Sequence, residues 1–576
     1  MPSYSAPLRE YQFLLHHVFR IEGLSQTNHF EHATPDVFDA VLTEAARFCE
    51  NVLAPINRSG DEQGCHFDNG RVTTPDGFRE AYALFRDGGW AGLTADPDHG
   101  GQGLPHALQI LVDEMITSAK FGFAMYRGLN EGAYRLLLKY GSEHLKETYL
   151  APIASGELLP TMNLTEPHSG SDLGLLRTRA EPDDQGTYRI TGNKIFITGG
   201  EHDLTDNIPH FVLASLPDAP AGSRGISLFL VPKFYTDEKS GENVRNALSC
   251  GAIEHKMGLK ASATCVMSYD GARDWLVGAS HSGLQAMFTL MNAARLGVGV
   301  QGVSAAEGSH QIASAYAAER KQGKAPGIPG DGPDPIDRHP DVRRMLLTQK
   351  AFAQGGRALT LRMALAMDTA HAAEDAVERE RHEDLVQVMT PIVKAFLTDA
   401  GSEAANLGVQ IMGGHGYIRE WGAEQWVRDI RIATIYEGTN GIQALDLVGR
   451  KLTVKNGAAL DGYLSLIKTV LIGAETSFPP AADGLKALAT LEELTTDLRA
   501  ADIDARSDAA SDFLSLFGLV ALSAEWSLIA KTAVTCRYDD PTFHADKLET
   551  AHFYMQRILP RYRALEAGIR AALGGT

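Results

Sequence analysis

The chain has 576 residues and a mass of 62.2 kDa, more than one hydrophobic core supports, so roughly two to four packed units are expected. Hydrophobic residues make up 44% and charged residues 22%, the profile of a folded globular chain rather than a disordered or fibrous one. A formal charge of -19 without any dense Lys/Arg tract lacks the electrostatic footprint of a nucleic-acid binder.

The opening "MPSYSAPLREYQFLLHH" carries Glu10 early and has neither a basic n-region nor an Arg-rich amphipathic pattern, so no leader is expected and a cytoplasmic location follows. "TPDVFDAVLTEAARFCENVLAP" offers Thr34 as N-cap, Pro35 at the first helical position and apolar residues at 37, 38, 41, 42, 45 and 48, which predicts an amphipathic helix stopping before Pro55. After about residue 160 the period changes. "GTYRITGNKIFITGG", "HFVLASLP", "GISLFLVPK" and "TCVMSYDG" are short, β-branched or aromatic, and bounded by Gly, Pro, Asp or Asn, which predicts a small antiparallel β unit. From about 280 the helical period returns, broken by the loop "GKAPGIPGDGPDPID" at 323–337 and a pause at "TVKNGAALDG", 453–462. The expected organisation is a helical extension (1–34), an α domain (35–160), a central β domain (161–280), an α bundle (281–455) and an additional helical domain (456–576). "FLSLFGLVALSAEW" is interrupted by Ser, Gly and Glu and reads as a buried helix, so no membrane span is expected. Five scattered cysteines without a CxxC pair argue for reduced thiols.

Four stretches carry candidate chemistry. "MNLTEPHSGSDLG", 162–174, has small residues and hydroxyls that let main-chain N–H groups approach a phosphate or polar heterocycle, or it is an ordinary polar loop. In "NKIFITGG" an aromatic, Phe196, and a hydroxyl, Thr198, two residues apart suit a planar ligand; a core Phe beside a solvent-facing Thr is the alternative. "QIMGGHGY", 410–417, does not match GxGxxG and follows no strand, so the nicotinamide fingerprint fails; His415 has no second ligand at metal spacing and reads as structural. In "IATIYEGTNGIQ", 432–443, an apolar run delivers Glu437 onto a glycine with no cation nearby in sequence, Arg431 lying six residues back. By itself Glu437 also suits a helix-capping role.

In this order and spacing, "YGSEHLKETYLAPIASGE" (140–157), "LTEPHSGSD" (164–172), "GNKIFITGG" (192–200), "EHKMGLKASATC" (254–265), "AAERKQG" (317–323), "QIMGGHGYIRE" (410–420) and "RDIRIATIYEGTNGIQ" (428–443) resemble the acyl-CoA dehydrogenase family. The likeness spans roughly residues 35 to 455. The extra N- and C-terminal segments make the chain most similar to the long bacterial form, which includes 3-methylmercaptopropionyl-CoA and broad-range fatty acyl-CoA dehydrogenases. The resemblance implies a mainly α fold with a central antiparallel, barrel-like β domain, FAD as cofactor, electron-transferring flavoprotein as acceptor, a homodimer and a step of fatty acid β-oxidation. It assigns Met162, Leu164, Thr165, Gly170, Ser171, Phe196, Thr198 and Thr439 to FAD. Arg320, Gln410 and Gly414 would reach the FAD of a neighbouring subunit. Ser171, Asn292, Arg295, Gly438 and Arg450 would meet the acyl-CoA. Two departures stand out: the family often has Trp where Phe196 stands, and a phenylalanine motif where this chain has "RKQGK".

The implied reaction gives the lone acid a purpose. A saturated thioester releases hydride from its β-carbon to flavin N5 only if the α-proton also leaves, and an ordinary carboxylate is a feeble base for that proton. Enclosure by apolar side chains destabilises the charged form of Glu437 and raises its pKa, which a close Lys or Arg would undo. Gly438, lacking Cβ, lets the thioester lie against the main chain, and the Glu437 N–H would donate to its oxygen. Glu437 is thus the expected α-proton base in forming a trans-2-enoyl-CoA from a fatty acyl-CoA or 3-methylmercaptopropionyl-CoA. An oxidase that returns the electrons to O₂, and a non-catalytic FAD- or CoA-binding scaffold, are the alternatives.

Overall fold

The computed structural model describes residues 4–237 and 240–574. Packing divides them into two compact units, one made of the described residues of Met1–Glu50, Pro105–Ser118 and Arg295–Thr576, the other of Asn51–Leu104 and Ala119–Ala294. This cuts across the segments expected from the sequence. The described residues of 1–34 fall wholly in the first unit, where Glu10 pairs with Lys547, while 35–160 is divided: 35–50 and 105–118 belong to the first unit, where Glu114 pairs with Arg357, and the rest to the second.

The unit of Asn51–Leu104 and Ala119–Ala294 carries a seven-stranded sheet: Thr161–Asn163, Arg179–Pro182, Tyr188–Thr198, Pro209–Ser215, Ile226–Pro232, Leu248–Ile253 and Thr264–Leu276. Thr264–Leu276 pairs with Tyr188–Thr198 along its length and with Ile226–Pro232 at its end (Trp275↔Leu230), so the ladder returns on itself as a ring. The barrel-like form is as expected, but the pairing is mixed. Thr161–Asn163 runs parallel to Pro209–Ser215, as does the single Arg179↔Ser215 pair. Phe211, Leu213, Leu228 and Leu230 join Leu136, Leu150, Ile153 and Leu290 in one buried cluster, which is why these strands read as continuous apolar runs.

The other unit is helical. Thr34 stands at the cap position of Pro35–Phe48 with extended backbone, yet its side chain makes no cap bond; Phe38, Leu42 and Ala45 face inward, and a π turn, Cys49–Leu53, carries the chain on to Pro55. Three long helices, Gly283–Glu319, Pro340–Ala372 and Ala376–Met412, form the bundle, the first of them entering from the other unit. The Pro/Gly-rich loop joins the first two of these, and Lys455 and Asn456, both at positive φ, mark the pause before Ala458. The helices after that pause belong to the same compact unit, where Ile503–Thr535 packs against the bundle. Its Trp526 donates to the Ala351 carbonyl at 3.1 Å, its Glu525 holds Arg362, and Gly518 lies so close to the Phe396 ring that a Cβ would be 2.2 Å from it.

By length and mean hydropathy Val454–Glu475 and Ile503–Thr535 are each long and apolar enough to cross a membrane; the apolar window of Ile503–Thr535, which contains the "FLSLFG" run, is 89% buried inside the protein and that of Val454–Glu475 44%. Arg357 is wholly buried, bonded to Glu114 at 2.9–3.0 Å and to Glu307 at 2.9 Å. None of the five cysteines is in a disulfide.

Candidate active site

The helix Ala423–Ile430 passes into a 3-10 turn, Arg431–Thr434, and the chain then makes an abrupt change of direction: Glu437 has φ 56° and Gly438 φ 83°. For a side chain other than glycine, the left-handed region costs about 1–3 kcal/mol and persists only where the surroundings enforce it. Here they do. Arg295 Nε donates to the Glu437 carbonyl at 3.3 Å, Gln443 Nε2 to the same oxygen at 3.2 Å, and Lys394 Nζ to the Gly438 carbonyl at 2.8 Å. Thr439 ends the turn as N-cap of Asn440–Asp446, accepting from the Ile442 N–H at 3.2 Å; its hydroxyl proton is left for another acceptor. A side chain at Gly438 would be strained by its φ of 83° and would displace Gln443, whose Nε2 lies 2.7 Å from where a Cβ would stand.

The Glu437 residue is half-buried, but its Oε2 is fully enclosed without a hydrogen-bond partner among the described residues. Burial pushes its carboxyl up to about 7, against the pull of Arg295 and then Lys394. The expectation of no nearby cation is therefore corrected. Two cations approach from remote parts of the sequence, Arg295 bonding the Glu437 carbonyl and Lys394 the Gly438 carbonyl and the Asn440 side chain, yet desolvation still prevails. Arg431 is exposed and turned to Thr434. The apolar enclosure is also incomplete, with Ile435, Ile442 and Leu445 each exposed on this turn and helix.

In the other unit the "LTEPHSGSD" and "NKIFITGG" stretches lie side by side. Thr161 donates to the Thr198 carbonyl at 2.7 Å, and Ile195 N–H to the Thr165 carbonyl at 2.9 Å. A bulge opposite Val266 sets Phe196 at φ 60° and leaves it 59% exposed, so it is not a core residue. Met162, Thr165 and Thr198 are half-buried beside it, Leu164 is buried, and Gly170 and Ser171 are exposed. Sequence reading missed what holds this platform: the buried Lys194 ammonium bonds the Leu164 carbonyl at 3.0 Å and Glu166 at 2.9 Å. Glu166 also accepts from the N–H groups of Arg177 and Thr178 and the Thr178 hydroxyl. Burial alone would raise the Glu166 carboxyl, but Lys194 and these donors hold it below its usual value. A flat ring turned out of the sheet beside hydroxyls, on a loop rich in small residues, fits a planar heterocycle.

Arg320 and Gly414 line a cavity of about 510 Å³ with Tyr316, Gln322 and His415; a Cβ at Gly413 or Gly414 would meet nothing within 4 Å. Gln410 is exposed on the last turn of Ala376–Met412. His415 is bonded to the Tyr316 hydroxyl at 2.8 Å and lies against Trp421. Asn292 is exposed and Arg295 buried three residues on along the Gly283–Glu319 helix, while Arg450 is exposed and paired with Asp446.

An acid strained into a left-handed turn, and a pinned platform with an outward ring, are the parts of a flavin-linked dehydrogenase. Matching family descriptions agree: acyl-CoA dehydrogenase N-terminal domain at 36–157, middle domain at 161–272, C-terminal domain at 281–452, and an acetyl-CoA dehydrogenase C-terminal-like domain at 468–573. The chain belongs to the acyl-CoA dehydrogenase family, an FAD-dependent family of enzymes. It is 40% identical to 3-methylmercaptopropionyl-CoA dehydrogenase of Ruegeria pomeroyi over 97% of this chain and 96% of that one. It is 32% identical to a broad-specificity linear acyl-CoA dehydrogenase of Mycobacterium tuberculosis over the same shares. The fold matches an acyl-CoA dehydrogenase from Bacillus anthracis complexed with FAD, with a TM-score of 0.72, 22% identity, and coverage of 96% of this chain and 90% of that one.

Proposed function

We propose that the protein removes the α-proton and a β-hydride from a linear acyl-CoA thioester, forming a trans-2-enoyl-CoA, with Glu437 as the base. The observation that carries this is the enclosed Oε2, without a hydrogen-bond partner among the described residues, of a carboxyl pushed up to about 7 in a left-handed turn held by Arg295, Lys394 and Gln443. FAD, when bound, supplies the hydride acceptor. Phe196, Thr198, Thr165 and the 164–171 loop would hold its ring system, and the lining of the Arg320–Gly414 cavity would hold the part of an FAD reaching across from a second copy in a homodimer. The exposed Ile435, Ile442 and Leu445 offer apolar surface that a fatty chain would cover. As the proton moves to Glu437 Oε2, the main-chain N–H of Glu437 donates to the thioester oxygen, where charge develops.

The relatives support two substrate types, linear fatty acyl-CoAs and 3-methylmercaptopropionyl-CoA, and family membership supports electron-transferring flavoprotein as acceptor. Mixing the FAD-loaded protein anaerobically with thioesters from short to long chain, and with 3-methylmercaptopropionyl-CoA, tests the reading. Flavin bleaching with at least one is expected. No bleaching with any of them would refute it, and peroxide formed stoichiometrically with product in air would replace the flavoprotein acceptor by O₂.

A further inference from the structure

Lys394 lies in the middle of Ala376–Met412, 43 residues before the catalytic turn, and is fully buried. Its ammonium donates to the Gly438 carbonyl and to Asn440 Oδ1, both at 2.8 Å, and both acceptors are neutral. Asn440 Nδ2 in turn donates to the Ala395 carbonyl at 3.2 Å and to Asp399 at 2.8 Å, so one turn of the long helix grips the far side of the Glu437–Gly438 turn. Burying a full positive charge to satisfy a carbonyl and an amide is costly, and a neutral donor would tie the same atoms together more cheaply. The charge needs a further use: burial lowers the ammonium to about 8, and it acts on two carboxyls, Glu437 first and Asp399 second, with Glu437 and Lys394 each pulling the other toward its ionised form.

We propose that Lys394 is a positioning residue for the base, its two hydrogen bonds holding the turn that presents Glu437 and its charge setting the pH at which Glu437 is ready to accept a proton. The proposal rests on Glu437 being the base. The charged groups on the elements packed against the turn are Arg295 from Gly283–Glu319, Lys394 and Asp399 from Ala376–Met412, Arg431 before the turn, and Asp446, Arg450 and Lys451 after it. Arg295 also acts on Glu437, but it is shared with Asp446, and Asp446 is held in turn by Arg450 and Lys451. Asp399 is raised by burial, bonded to Asn440, and acted on by Lys394 and then Arg431. Of the two cations acting on Glu437, Lys394 is the one bonded to the Gly438 carbonyl.

The sign follows directly. A cation beside a carboxylate stabilises the ionised base, so removing it moves the acid limb of the rate profile to higher pH. The test is the pH dependence of anaerobic flavin bleaching by a saturating thioester, using FAD-loaded full-length protein. Lys394→Gln keeps a donor and loses the charge; its acid limb should move up by about half a pH unit or more, cutting the rate at pH 6 by about threefold while the alkaline plateau stays within about twofold. Lys394→Met should show the same displacement and a lower plateau. Lys394→Arg should keep the limb in place and lose plateau rate, because the larger head displaces the turn. A folded, flavin-loaded Gln or Met variant whose limb coincides with wild type overturns the proposal. If neither folds, a displaced limb in the Arg variant does so instead. Failure of the underlying reading is distinct: wild-type protein would then bleach with no thioester, or Glu437→Gln would bleach normally.

Discussion

Replacing Glu437 by Gln separates the charge of the base from its shape, and its consequences for rate and stability have opposite signs. A carboxyl with an ordinary value of 4.5, pushed to about 7 by burial, binds a proton more tightly folded than unfolded. The folded protein therefore bears no penalty from this group below about pH 4.5. It loses stability progressively as the pH rises through the interval up to about 7, and above that the full cost is about 3 kcal/mol. Glutamine never ionises, so the variant should gain on wild type by about 2 kcal/mol between pH 5 and pH 8. The assay is urea denaturation of both FAD-loaded proteins at the two pH values, paired with anaerobic bleaching rates. Turnover of the variant should fall by about 10²- to 10⁴-fold. In wild type the rate should rise about tenfold from pH 6 to pH 8, following the ionised fraction of a base near 7. A stability difference that does not change with pH, or a variant as fast as wild type, would refute the link between desolvation and basicity.

Gly438→Ala forces a side chain to φ 83° with its Cβ 2.7 Å from Gln443 Nε2, so turnover should drop about tenfold or more while the protein remains folded, as read by steady-state kinetics and circular dichroism. Lys194→Met leaves Glu166 buried without its cation, a loss of about 3–5 kcal/mol concentrated under the cofactor platform; purified variant should show a lower ratio of flavin to protein absorbance even with FAD added. Arg357→Met strands Glu114 and Glu307, and should lower the melting temperature of the helical unit without altering the flavin spectrum of the protein that survives.

What could be read in the sequence was whatever local pattern enforces. Pro35 and the apolar period placed the first long helix, alternation placed the strands, and the glycine after Glu437 announced a tight turn at the acid. Pattern failed where partners come from far away. Lys394 and Arg295 reach Glu437 from helices 43 and 142 residues upstream, so a sequence-local search found no cation. Phe196 was ambiguous because alternation presumes an unbroken ladder, and the bulge that expels it depends on the register against Thr264–Leu276. Lys194 carried a signal that went unused: a charged residue at an inward position of an alternating strand demands a buried partner, and Glu166 is it. The division into units was hidden for the same reason, since Glu10 and Glu114 reveal their allegiance only through Lys547 and Arg357.

The pairing of Glu10 with Lys547 spans 537 positions, and it constrains how the protein is made. At about 5–20 residues per second, a ribosome takes about half a minute to two minutes to travel that distance. Throughout that time Phe13, wholly buried in the finished protein, lacks the Phe543 and His544 rings that pack on it at 5.3 and 5.4 Å. The helical unit therefore completes this contact only after the segment around Lys547 has been made, across one of the longest loops the chain has to close.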